Sequence, residues 1–177
     1  MLPEGYRIED LSLTHATALA AAYRRNRRHL APWEPVRDET FFTEDGQSSA
    51  VTAQLSSARR GQQAAWVVMR GDHVVARVNL NNIVMGVLRS GSLGYWVDAD
   101  HQRRGLASAA VQHACAQADA RGLHRVEAGT LLHNVASQRV LERCGFRAFG
   151  TAPSYLFIAG SWQDHRLYQR ILNDRPL

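Results

Sequence analysis

The chain has 177 residues, 45% hydrophobic and 21% charged, which suits a single soluble globular domain spanning 1–177 with one substantial core. Its net charge of +5 favours an anionic ligand, and a total of two cysteines excludes a disulfide framework. No apolar run approaches the roughly 20 residues needed to cross a bilayer, and the N-terminal segment lacks a signal-peptide core, so a cytoplasmic protein with no membrane partner is expected.

In chain order, Tyr6 to Glu9 reads as a short first strand. Thr14 can cap a helix running toward Leu30, which Pro32 and Pro35 end. Within it, Arg24-Arg25-Asn26-Arg27-Arg28-His29 reads as a polar helix face. It lacks the aromatics of a single-strand binding platform, so direct nucleic-acid binding is not expected, while association with an RNA-rich particle stays open. A second helix spans Gly46 to Arg60. Ala64 to Met69 is a strand, Gly71-Asp72 a two-residue turn, and His73 to Val84 the antiparallel return. Leu93 to Val97 is the next strand. Leu106, Ala110, Ala114 and Ala118 then recur every fourth position, placing one apolar helix stripe against the sheet, with an end near Gly122. Arg125 to Leu132 is a strand, and Asn134 caps a short helix whose buried side carries Ala136, Val140, Leu141 and Cys144. Gly145 suits the left-handed position after it. Two final strands, Phe149 to Ile158 and Trp162 to Ile171, flank the turn Ala159-Gly160-Ser161. This order predicts an α/β (α+β) fold with a mixed sheet covered by helices.

Gln102-Arg103-Arg104-Gly105-Leu106-Ala107 lies between a strand and the Ala-rich helix. The first N–H groups of a helix have no intrahelical partner, and the dipole adds partial positive charge, so an anion fits there. Gly105 lets a ligand approach the backbone closely, and Arg103 and Arg104 add full charges. The pattern has neither the three-glycine dinucleotide fingerprint nor the lysine of a P-loop. The eight histidines are scattered, no His-Glu-x-x-His pair occurs, and two cysteines are too few for a structural zinc, so no metal is expected.

Gln-x-x-Gly-x-Ala between a strand and a helix resembles the coenzyme A pyrophosphate loop of the GNAT superfamily of acetyl-CoA-dependent N-acetyltransferases. The segment Asn134 to Phe146 is similar to that family's second signature, an Asn-x-x-Ser helix ending in Gly-Phe. Gly160-Ser161-Trp162-Gln163-Asp164-His165 with Tyr168 looks like the closing hairpin of its RimJ/RimL branch, which acetylates N-terminal amines of ribosomal proteins. Arg28 to Glu39 resembles the substrate-side loop of the RimJ type. The likeness spans nearly the whole chain, strongest from Leu93 to Phe146 and weaker between Thr43 and Arg60. It implies a GNAT-like, mainly antiparallel sheet flanked by helices, and homodimerisation through the C-terminal strands is compatible with it.

The resemblance also implies site roles. The pantetheine arm would run beside the backbone of Tyr95, Trp96, Val97 and Asp98, whose groups must be free, with an N–H there available to an oxyanion. Arg103, Arg104, Gly105, Leu106, Ala107 and Ser108 would hold the pyrophosphate, mostly by backbone. Asn134 and Ser137 would face the arm, with the Ser137 hydroxyl protonating the departing thiolate, directly or through water; both residue types also cap or decorate helix starts. For the base, Glu34 in the acceptor loop and Tyr155 on the late strand are candidates, beside ordinary roles as a surface carboxylate and a strand aromatic. The carboxylate expected on that strand in the RimL type is absent. Trp33 and Asn79 would line the acceptor pocket, while at least two of Asn79, Asn81 and Asn82 satisfy a bulge or strand end. Cys115 and Cys144 fit helix faces in a core, so transfer is expected to be direct, in a ternary complex.

The function expected is acetyl transfer from acetyl-CoA to a protein N-terminal amine, Ala or Ser, of a ribosomal protein. An acetyltransferase of a small amine such as an aminoglycoside or polyamine is the closest alternative. A non-catalytic acetyl-CoA-sensing module is the other.

Overall fold

The computed structural model, which describes residues 2–176, has a seven-stranded sheet with helices packed on both faces. The strands are β1 (Arg7–Asp10), β2 (Ala64–Arg70), β3 (His73–Val84), β4 (Ser90–Val97), β5 (Arg125–Leu131), β6 (Arg147–Ile158) and β7 (Ser161–Ile171). Their order is β1-β2-β3-β4-β5-β7-β6. Only the β4–β5 pair is parallel. The helices are α1 (Ala16–Leu30), α2 (Glu44–Arg59), α3 (Leu106–Ala120) and α4 (Val135–Arg143). The mixed, mainly antiparallel sheet flanked by helices is the fold expected from sequence.

The two sheet faces have separate cores. On one, Leu106, Ala110, Ala114 and Ala118 of α3 pack with Trp66, Val78, Leu80, Val126 and Tyr168. Alanines at these contacts let the helix lie close to the strands, where longer side chains would overpack. On the other, Leu19, Tyr23 and Leu30 of α1 and Val51 of α2 pack on Val67, Val74 and Trp96. Each such fully buried apolar side chain contributes about 2 kcal/mol.

Several local expectations change. Ser12 rather than Thr14 begins the first helical segment: a 3-10 turn, Leu13–His15, precedes α1, and the Ser12 N–H donates to His15 Nδ1 at 3.1 Å. Thr14 Oγ1 instead lies 2.7 Å from Ser12 Oγ. Thr43 caps α2, accepting from the Gly46 N–H at 3.1 Å. A Cβ at Gly46 would come within 1.9 Å of the Thr40 carbonyl oxygen, so this corner needs glycine. Ala136 is exposed; Gln138 takes its place on the buried side of α4, donating to the Leu132 carbonyl at 2.9 Å. Gly145 has φ +81°, as its left-handed position requires. Asn82, at φ +50°, marks a bulge in the β3–β4 register.

Candidate active site

Strands β4 and β5 begin side by side and then separate. Only Ser90, Gly91 and Ser92 pair with Arg125, Val126 and Glu127. Beyond them β4 keeps β3 and β5 keeps β7, which opens a gap between Leu93–Val97 and Ala128–Leu131. The Asp98 N–H donates to the Val75 carbonyl at 2.8 Å, toward β3. Strand alternation therefore turns the N–H groups of Tyr95 and Val97 into the gap, while the Leu93 N–H closes the last β4–β5 pair. The Val97 carbonyl already meets His29 Nε2 at 3.2 Å. Free backbone groups are thus found at Tyr95 and at the Val97 N–H, whereas those of Trp96 and Asp98 face β3.

Asp98 differs further from expectation. It is 1% exposed, and its carboxylate accepts from Arg25 Nε, from Asn26 Nδ2 (both 2.8 Å) and from the Asp100 N–H at 3.0 Å. Burial pushes its carboxyl up, but these hydrogen bonds and the Arg25 charge outweigh it and hold the carboxyl below its ordinary value. Asp98 is an anchor for α1, and the Arg24–His29 segment is less a solvated face than a set of tethers. Arg24 donates to the Phe42 carbonyl at 2.8 Å, and Arg27 pairs with Glu39. Trp96 is likewise internal, its Nε1 donating to the Tyr23 hydroxyl at 3.0 Å.

At the gap, Asn134 caps α4 by accepting the Ser137 N–H at 3.1 Å. This presents the Ser137 hydroxyl 2.8 Å from the Tyr95 hydroxyl, which also donates to the Ser137 carbonyl at 3.2 Å. Burial pushes the Tyr95 hydroxyl up to about 12, offset in part by the bond to Ser137, so it stays protonated. The sequence pointed to Tyr95 by its backbone; the role of its side chain required the fold.

Arg103, Arg104 and Gly105 are exposed at the start of α3, past the end of β4. Arg103 has φ +57° and Gly105 φ +79°, so the chain curls before the helix. The first intrahelical bond runs from the Ala109 N–H to the Gly105 carbonyl, 3.0 Å, leaving the N–H groups of Leu106, Ala107 and Ser108 without intrahelical acceptors. No side chain caps this end, and its first turn carries no acid. The donor set fits a pyrophosphate: three unmatched N–H groups, a helix dipole and two guanidinium groups. Leu106 is 1% exposed, so only its backbone is available.

A cavity of about 890 Å³ enters the gap from the α1/α2 side. Its wall includes Trp33, Glu34, Asn79 and Tyr155, together with Tyr95, Asn134 and Ser137 at the far end. Glu34 is held in place by its backbone, whose carbonyl accepts the Ala159 N–H of the β6–β7 turn at 3.1 Å. Burial raises its carboxyl above the ordinary value, opposed by the charges of Arg37 and Arg77. The Trp33 ring packs on His133, centroids 5.4 Å apart, bringing the Trp33–Glu34 loop against the turn before α4. Asn79 lies over Gly94, where a Cβ would come within 3.3 Å of its Nδ2. The sequence missed Arg77, which bonds Gln54 and the Tyr23 hydroxyl, and His133. Neither belongs to a motif, and three separate elements meet at Arg77.

Cys115 and Cys144 are buried away from this wall. Among the described residues no cluster of three or more His, Cys, Asp or Glu could hold a metal, and no helix is long and apolar enough to cross a membrane.

The profile of the acetyltransferase (GNAT) domain matches residues 7–147. The [ribosomal protein uS5]-alanine N-acetyltransferase of Escherichia coli (strain K12) is 32% identical over 155 residues, covering 86% of this chain and 80% of that protein. The structure of a ribosomal-protein-S5-alanine acetyltransferase from Vibrio fischeri superposes with a TM-score of 0.93 at 31% identity, over 99% of this chain and 98% of that one. Mycobacterium smegmatis RimJ, solved with CoA-disulfide, gives a TM-score of 0.89 at 29% identity, over 94% of this chain and 81% of that one. With the parted strands, the uncapped helix and these matches together, the chain belongs to the GNAT acetyltransferase family of acetyl-CoA-dependent N-acetyltransferases.

Proposed function

We propose that the chain, as one domain over 1–177, transfers acetyl from acetyl-CoA to the N-terminal amine of a protein beginning with Ala or Ser, a ribosomal protein in the cytoplasm. The observation that carries this reading is the joining of two routes at one point. The parted edge of β4 leads from the α3 N-terminus to the Tyr95–Ser137 pair, and the cavity reaches the same pair from the opposite sheet face. Two relatives named for alanine acetylation of ribosomal protein S5 support the acceptor class.

In this reading the N–H groups of Leu106, Ala107 and Ser108, with Arg103 and Arg104, hold the pyrophosphate. The Leu93 carbonyl and the Tyr95 backbone are offered to the pantetheine arm, and a Tyr95 or Val97 N–H lies available to the oxyanion. Ser137 protonates the departing sulfur, its hydroxyl positioned by the Tyr95 hydroxyl 2.8 Å away. Glu34 attracts the ammonium and Trp33 and Asn79 bound its approach, with Tyr155 at the rim. The cavity's extent suits a short peptide segment, and no cysteine takes part.

Purified protein is tested with acetyl-CoA against Ala- and Ser-starting ribosomal peptides, with aminoglycosides and polyamines in parallel. Peptide-dependent thiol release, with mass spectrometry locating acetyl on the α-amine, is the expected result. Preference for a small amine moves the acceptor class, and coenzyme binding without turnover overturns the enzymatic reading.

A further inference from the structure

His165 lies in the closing hairpin and has no task in the mechanism above. It is 4% exposed, yet it borders the acceptor cavity. Its Nδ1 is 3.0 Å from the Gln163 carbonyl oxygen. A carbonyl only accepts, so this bond keeps the proton on Nδ1 and leaves a lone pair on Nε2. Among the described residues no hydrogen bond reaches Nε2, and that nitrogen is not among the atoms sealed in the interior.

The sheet register decides where the ring stands. His165 faces Leu131 and Leu167 faces Gly129, so these residues share one face of the sheet. His165 Cδ2, the carbon bonded to Nε2, is 3.5 Å from the point where a Gly129 side chain would begin. The imidazole therefore lies against the Gly129 backbone at the edge of the gap. The Tyr155 ring backs it at a centroid distance of 5.5 Å. Across the gap, Trp96 and Gly94 pair with Arg77 and Asn79 on the acceptor face, whereas Tyr95 projects to the α3/α4 face with Ser137. The imidazole and the Ser137 hydroxyl thus flank the gap from opposite sides.

We propose that His165 Nε2 is the base that takes the proton from the acceptor ammonium, directly or through one water. This deepens the acetyl-transfer reading and rests on it. A thioester carbonyl in the gap is approached by the amine from the cavity side and left by sulfur on the Ser137 side, so base and acid belong on opposite faces. One ammonium proton goes to Nε2 and then to solvent. The freed nitrogen pair forms the N–C bond, and the C–S bond breaks with its electrons on sulfur. Sulfur takes one proton through Ser137, balanced by the second proton lost from nitrogen, so ammonium and thioester give amide, thiol and one released proton. Glu34 remains the group that attracts the cation, and Tyr155 supports the ring.

The test uses the full chain with an Ala-starting peptide. His165→Asn keeps a donor for the Gln163 carbonyl and removes Nε2; His165→Ala removes both. Both are expected to lower kcat about a hundredfold, with the KM for acetyl-CoA within threefold of the original. Added imidazole should restore His165→Ala at least tenfold. A kcat for His165→Asn within threefold of the unaltered enzyme, or no imidazole response in a folded, coenzyme-binding His165→Ala, overturns the proposal. If neither variant folds, nitrogen NMR of isotope-labelled histidine in the unaltered protein decides: a proton on Nδ1 with an Nε2 signal that moves on peptide binding supports it, and a proton on Nε2 or an unmoved signal overturns it. Absence of turnover on every amine by the unaltered enzyme instead defeats the acetyl-transfer reading, and with it this one.

Discussion

The Tyr95 hydroxyl stands 2.8 Å from Ser137 Oγ and so joins β4 to the first turn of α4 across the parted strands. Ser137→Ala is expected to lower kcat about a hundredfold with little change in the KM for acetyl-CoA, as loss of a proton donor does. Tyr95→Phe removes only the orienting bond and should cost about tenfold. The double variant should be no slower than Ser137→Ala within about threefold, because both changes remove parts of one unit. Steady-state thiol release checks this, and additive losses would contradict the coupling.

Asp98 ties α1 to the end of β4 through Arg25 and Asn26. Its carboxyl is held below the ordinary 3.8, so its stabilisation is present in full above that value and is lost as pH falls toward the lower folded one. Asp98→Asn should cost about 2 kcal/mol at neutral pH, less than a fully buried pair because the Arg25 side chain is 36% exposed. The gap between the two proteins should narrow below pH 3.8, where the unaltered chain protonates Asp98 itself. Denaturant unfolding at several pH values measures it, and a gap independent of pH would refute the assignment.

Arg103 sits at φ +57° and Gly105 at φ +79° ahead of α3. A side chain at 105 would meet nothing within 4 Å, so Gly105→Ala suffers backbone strain alone, about 1 kcal/mol. Arg103→Gly should relieve a similar strain and raise the melting temperature while weakening coenzyme A binding several-fold through the lost charge. Calorimetric binding and thermal melts run on the same samples separate the two effects.

Burial pushes the Cys115 thiol up to about 11 and also raises that of Cys144. Neither is a thiolate at neutral pH, which disfavours an acetyl-cysteine intermediate. Cys115→Ala and Cys144→Ala should each keep kcat within threefold while lowering stability by about 1 to 2 kcal/mol through lost packing. A collapse of turnover in a folded variant that still binds coenzyme A would reverse this conclusion.

Local signals were strong where a short stretch of chain does its own work. His73 to Val84 was legible as a strand because the preceding Gly71-Asp72 turn and its apolar alternation agree, and Asn134 was legible as a cap because its Oδ1 reaches a backbone N–H three residues on. The α3 stripe of Leu106, Ala110, Ala114 and Ala118 depends only on helical periodicity. Ala136 was misplaced because α4 is short, and its buried side is set by Gln138 reaching back to the preceding turn.

The order of elements, the helix start that suits an anion and the family those motifs resemble can all be read from the chain alone, since each rests on neighbours along it. Only the folded chain shows that Asp98 anchors α1 rather than facing the gap, that Tyr95 meets Ser137, and that His165 borders the cavity at that gap. Those relations join residues 73, 42 and dozens of positions apart, through a sheet register that fixes which side each residue faces. Periodicity gives each strand two faces; only the pairing of distant strands says what stands on them.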